Sequence, residues 1–136
     1  MIRTTKQVLF PELSYQICGL CFNVHNQLGR FRSEKSYADA LEMELKNAKV
    51  QYDREKALSP SFEGESQRRN IPDFIIDGKI VLDAKAKRLI TTEDYYQMQR
   101  YLEVSKKELG LIINFRQNVL TPRRILAPIR NIRIHS

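Results

Sequence analysis

Long hydrophobic runs are absent. Nowhere does the chain approach the roughly 18 consecutive apolar residues that a membrane-spanning helix needs. No apolar stretch of signal-peptide length follows Met1-Ile2-Arg3-Thr4-Thr5-Lys6, so a cytoplasmic protein is expected. Cysteine is scarce: Cys18 and Cys21 are the two in the chain. Their C-x-x-C spacing fits a redox or zinc motif. No strand precedes them to form a thioredoxin-like turn, and no second Cys or Cys/His pair completes a four-ligand structural zinc site. His25 would share their helix face, so a three-ligand site can be drawn. Small side chains packed on a core helix are the expected role, with His25 packed beside them rather than acting as a base. Repeats, low-complexity stretches and linker-like segments are also missing. The 136 residues suit one domain, with a basic tail from about 127 to 136.

Charge is present in quantity and is unevenly signed. Lys and Arg number 23 against 16 Asp and Glu, a formal net charge of +7. That balance favours polyanionic partners, nucleic acid ahead of a membrane surface. The distribution adds to it: Arg116 to Ser136 holds five arginines and no acidic residue. Gln67-Arg68-Arg69 and Lys85-Ala86-Lys87-Arg88 are further basic clusters, either solvated surface or phosphate-binding.

Apolar spacing predicts a helix from Leu13 to Leu28, with Pro11 near its start and Gly29 as its stop. A second helix is expected from Ser33 or Glu34 to about Ala48, capped by Ser33. Val50 to Leu58 reads as a strand. Ile71 to Ile76 and Lys79 to Ala84 read as strands of a hairpin around Asp77-Gly78. A helix should follow from Thr92 to Lys107, capped by Thr91 or Thr92 with Glu93 and Asp94 in its first turn. Leu109 to Phe115 is a near-continuous apolar strand, which implies burial on both faces, and Arg123 to Leu126 is a short last strand. The order predicts an α/β layer structure with a mixed sheet.

One segment carries chemistry. Pro72-Asp73 is followed, after nine intervening residues, by Asp83-Ala84-Lys85. Strand positions two apart face the same way, so Asp83 and Lys85 project together. Asp and Lys are poor strand formers, yet they end the apolar run Ile80-Val81-Leu82. Phosphodiester hydrolysis calls for such a group: carboxylates hold Mg²⁺ and a lysine steadies the nucleophile or the charge on phosphorus. The hairpin sets a condition. A strict two-residue loop at Asp77-Gly78 would pair Asp73 with Leu82 and turn it away from Asp83. A shared site requires a three-residue loop, a bulge or a strong bend, and Gly78 makes a bulge cheap.

The pattern Pro-Asp, spacer, Asp-x-Lys resembles the PD-(D/E)XK nuclease superfamily. More narrowly, the chain from about 12 to 126 resembles the small prokaryotic GxxExxY family. Leu13-Ser14-Tyr15 through Val24-His25-Asn26-Gln27-Leu28-Gly29 is similar to that family's opening helix. Phe31-Arg32-Ser33-Glu34-Lys35-Ser36-Tyr37 falls on the naming motif and matches at Glu34 and Tyr37, and Ile112-Ile113-Asn114-Phe115 resembles a late core strand. Phe31 stands where the motif opens with glycine, and Asp83 where the family usually has Glu. The resemblance implies a restriction-endonuclease-like core with a mixed central β-sheet flanked by α-helices. It implies Asp73 and Asp83 as metal ligands, Lys85 as the catalytic lysine, and Glu34 as a ligand or organiser of metal-bound water. Gln97 and Tyr101 have a Q-x-x-x-Y spacing and lie one helical turn apart. Their implied role is to orient substrate or the lysine.

The expected function is a Mg²⁺- or Mn²⁺-dependent nuclease acting on nucleic acid, DNA ahead of RNA, with a homodimer or a junction-resolving activity as plausible versions. The contrasting expectation is an inactive nuclease-fold module that binds nucleic acid or a protein partner. Glu55 and Lys56 could flank the site or form a surface pair.

Overall fold

The computed structural model describes residues 9–60, 62–66 and 70–128. The cluster Gln67-Arg68-Arg69, the first eight residues and the tail past Pro128 lie outside them. The elements, in chain order, are α1 (Pro11–Leu28), α2 (Glu34–Asn47), β1 (Tyr52–Arg54), β2 (Phe74–Ile76), β3 (Ile80–Lys85), α3 (Thr92–Ser105), β4 (Leu109–Asn114) and β5 (Arg123–Leu126).

The helices begin and end where local chemistry directs. Pro11 occupies the first turn of α1, where its missing N–H costs nothing, and Gly29 closes the helix at φ 74°. Ser33 caps α2, its side chain accepting from the Ser36 N–H at 3.1 Å. Thr91 and Asp94 form a reciprocal capping box at the start of α3.

The five strands lie in the order β1-β2-β3-β4-β5. β1, β2 and β3 form an antiparallel meander, β3 and β4 run parallel across the α3 connection, and β5 returns antiparallel to β4. This is the expected mixed sheet. α1 and α2 cover one face: Ile17, Cys21, Val24, Tyr37, Leu41 and Leu45 pack against Phe74, Ile76, Ile80, Leu82, Ala84, Leu111 and Ile113. α3 covers the other, where Met98, Tyr101 and Leu102 meet Ile75, Val81, Ile112 and Ile125. β3 and β4 are sandwiched between the helical layers, which is why both read as apolar runs. Each fully buried Leu or Ile contributes about 1.5–3 kcal/mol. α3 packs tightly on the sheet at Gly110, where a Cβ would collide with the Met98 thioether.

Two expected strands are shorter than their apolar patterns. Only Tyr52–Arg54 of the Val50–Leu58 stretch is regular strand, because Glu55 turns to φ 52° and leaves the extended region. β2 starts at Phe74 rather than Ile71, since Pro72 has no N–H to give a ladder. Irregular pairing continues beyond both ends: Glu55 N–H donates to Asp73 O at 3.0 Å and Leu58 N–H to Asn70 O at 2.8 Å.

Candidate active site

The β2–β3 hairpin meets the condition for a shared site. Ile76 pairs with Ile80, so the loop is the three residues Asp77, Gly78 and Lys79. Asp77 and Gly78 both take positive φ, 53° and 63°, and Lys79 N–H returns to Ile76 O at 2.9 Å. With Phe74 opposite Leu82, the next step of that register puts Asp73 opposite Asp83. The carboxylates are cross-tied through the backbone: Asp83 Oδ1 accepts from Asp73 N–H at 3.0 Å, and Asp73 Oδ2 accepts from Ala84 N–H at 2.7 Å.

Strand alternation then sorts the side chains. Ile80, Leu82 and Ala84 enter the α1–α2 core, while Val81, Asp83 and Lys85 share the α3 face. Asp83 is only 5% exposed. Lys85 Nζ lies 3.7 Å from Asp83 Oδ2 and donates to Gln97 Oε1 at 3.1 Å. It also lies 3.8 Å from Asp94 Oδ1. The carboxylates are under electrostatic stress. Burial, then the charge of Asp83, pushes the Asp73 carboxyl up to about 7, against the Ala84 N–H and Lys85. Burial also raises Asp83, against the Asp73 N–H and the Lys85 ammonium.

Glu34, at the first position of α2, approaches the pair through its field: its negative charge adds to the upward push on both aspartates. Among the described residues, no three His, Cys, Asp or Glu side chains converge into a ready-made metal cluster. The three-ligand arrangement of Cys18, Cys21 and His25 is therefore not formed. Cys21 is fully buried, burial raises both thiols, and His25 Nε2 sits 2.8 Å from Gln117 O. Tyr101 reaches the site indirectly. Its hydroxyl donates to Ile71 O at 3.3 Å, two residues before Asp73, and burial together with the two aspartates raises its phenol.

Two contributors were not singled out from the sequence. Asp94 is a buried capping carboxylate that faces both lysines of the Lys85-x-Lys87 pair, at 3.8 Å and 2.9 Å. Burial acts to raise its carboxyl, but hydrogen bonds from Thr91 and Lys87 outweigh it and hold it below the ordinary range. Asn114, at the end of β4, clamps the Lys87 backbone, accepting its N–H at 3.2 Å and donating to its carbonyl at 2.8 Å. The sequence marks Thr91 or Thr92 as a cap and Asp94 as a first-turn acid, but nothing local shows that Asp94 is buried beside Lys85.

The donor set suits a hard divalent cation. Such ions are commonly held by one or two carboxylates with water completing the shell. Two buried carboxylates that repel each other are the groups such a cation would relieve, so Asp73 and Asp83 fit the role without a third ligand. No curated protein and no solved structure matches the chain. A family model does match, that of the PD-(D/E)XK nuclease superfamily, over residues 11–125, from the first turn of α1 into β5. Its nucleases generally use divalent metals on nucleic-acid substrates. The mixed sheet flanked by helices is the restriction-endonuclease-like α/β fold. With the match covering most of its length, the chain belongs to the PD-(D/E)XK nuclease superfamily.

Proposed function

We propose that this protein is an active nuclease that hydrolyses phosphodiester bonds, in DNA rather than RNA, with Mg²⁺ or Mn²⁺ as its ion. Within the superfamily we place it with the GxxExxY proteins, on the resemblance at Glu34 and Tyr37. The carrying observation is the cross-tied, buried pair Asp73 and Asp83 with Lys85 Nζ 3.7 Å from the second carboxylate. A fold kept only for binding gains nothing from two buried carboxylates aimed at a polyanion.

Asp73 and Asp83 would hold the ion, and Glu34, whose charge acts on both, would serve as a further ligand or organise the ion's water. The bound ion supplies positive charge at the scissile phosphate and an activated water. Lys85 brings an ammonium to the same edge, where it steadies the nucleophile or the charge developing on phosphorus. Gln97 holds that ammonium in place, and Tyr101 braces the segment leading into Asp73. Arg116 and Arg88 would supply charge for the phosphate backbone. A homodimer would present two such sites to two strands.

Purified protein should be assayed on linear, nicked, branched and single-stranded DNA and on RNA, with Mg²⁺ or Mn²⁺. Metal-dependent cleavage is expected, lost in Lys85→Ala. Cleavage that persists in that variant points away from this site. Calorimetry with Mn²⁺ separates the inactive alternative: the wild type should bind and Asp83→Ala should not. No binding by the wild type favours a binding module.

A further inference from the structure

Phe31 is a large aromatic left 74% exposed. Its neighbours are cations. The Arg30 guanidinium carbon lies 4.9 Å from the ring centroid and that of Arg116 lies 5.6 Å from it. Both arginines spend hydrogen bonds on backbone: Arg30 Nε donates to Arg116 O at 2.8 Å, and Arg116 Nη2 to Ala86 O at 3.5 Å. Among the described residues neither guanidinium pairs with a carboxylate. Two guanidinium groups that lie over an exposed ring and pair with no described carboxylate are complementary to a phosphate-linked base.

The loop that carries Phe31 is held from beneath. Tyr37 is fully buried and stacks on Phe115, centroids 4.4 Å apart and planes 7° from parallel. Its hydroxyl donates to Gly29 O at 2.6 Å and accepts from Arg32 N–H at 3.1 Å, so it fixes the backbone on both sides of Phe31. The platform is also wired to the candidate active site. Phe115 N–H, next to Arg116, donates to Lys85 O at 2.8 Å. Three residues after Phe31, Glu34 exerts its charge on Asp73 and Asp83.

We propose that Phe31, with Arg30 and Arg116, is a stacking platform for an unpaired nucleotide next to the cleaved phosphodiester, so that the preferred substrate is DNA with a single-stranded segment at the site. This deepens the nuclease reading and rests on it for the word substrate. In an intact duplex the base faces are occupied by neighbouring bases, so a π-platform has little to stack on. In a single strand, flap or branch the faces are free, and stacking on an aromatic adds affinity without regard to sequence. The two guanidinium groups then reach the adjacent phosphates or the base itself.

The test is binding without metal, in EDTA, of a labelled single-stranded deoxyoligonucleotide and of a duplex of the same length. Phe31→Ala and Phe31→Leu should weaken single-strand binding about tenfold, as loss of one base–aromatic stack does, and leave duplex binding unchanged. Phe31→Tyr should restore it. The chain contains no tryptophan, so Phe31→Trp gives a single reporter at the platform. Its fluorescence should be quenched by the single strand and not by the duplex. Equal losses on both ligands, a Phe31→Leu variant that binds like the wild type, or a Phe31→Trp variant whose emission the single strand leaves unquenched would each overturn the platform. Cleavage plays no part in this readout. Inactivity of the protein would count against the nuclease reading and leave the platform standing, whereas failure here would leave the chemistry at Asp83 untouched.

Discussion

On the α1–α2 side of the sheet, β3 presents Ile80, Leu82 and Ala84 to a continuous apolar layer. On the α3 side the same strand presents Val81, then Asp83, then Lys85, and the apolar layer there is smaller. One face is packed to its end, while the other gives way to charge after a single residue. That contrast separates two demands. The first face contributes hydrophobic burial that holds the strands in register. The second holds carboxylates that burial penalises, and they persist there because the first face fixes the backbone beneath them.

Exchanging polarity on the two faces should therefore have opposite consequences. Asp83→Asn keeps an acceptor for the Asp73 N–H and removes one of two repelling charges. Cleavage should fall by at least about 10²-fold, the scale of removing one electrostatic element from a catalytic site, while the melting temperature rises. Leu82→Ala, one residue earlier and facing the other way, should cost about 2–5 kcal/mol in urea unfolding and leave the activity per folded molecule near the wild-type value. A stabilised Leu82→Ala or a destabilised Asp83→Asn would break the division of labour between the faces.

A smaller effect should appear with pH. The folded Asp73 carboxyl lies near 7, above its ordinary 3.8, so between about 4 and 7 the folded state holds a proton that the unfolded chain has released. Stability of the metal-free protein must then fall as pH rises through that window. Thermal melts in EDTA should show the fall, Asp73→Asn should flatten it, and Mn²⁺ at pH 8 should recover the lost stability by binding the ionised form. A wild-type slope that Asp73→Asn leaves unchanged would place the titration elsewhere.

The two faces were not equally legible in the sequence. Apolar periodicity and capping residues gave the helices to within a few residues, and the run Leu109 to Phe115 announced a strand buried on both sides. Period-two alternation put Asp83 and Lys85 on one face. It could not bring Asp73 to them, because the choice between a two- and a three-residue loop at Asp77-Gly78-Lys79 reverses every side chain on β2. The Glu55 turn that ends β1 follows from its backbone conformation, which no side-chain pattern encodes. Asp94 and Asn114 were missed for a related reason. Each looks like an ordinary cap or strand end, and becomes part of the site only when α3 and β4 pack beside Lys85 and Lys87.

The smallest effect should come from the spacing between α3 and the sheet. At Gly110 an added Cβ would collide with the buried thioether of Met98. Gly110→Ala should cost about 1–3 kcal/mol, toward the low end because the methionine side chain is flexible. Gln97 is the immediate neighbour of Met98 and holds Lys85 at 3.1 Å, so lifting α3 should also slow cleavage. Met98→Ala alone leaves a cavity on the smaller apolar face, whereas in the double variant the new methyl occupies part of the vacated space. The two losses should then be less than additive in both stability and cleavage rate, since residues in direct contact couple. If stability shows that coupling and cleavage does not, the seating of α3 governs the packing of its face but not the position of Lys85.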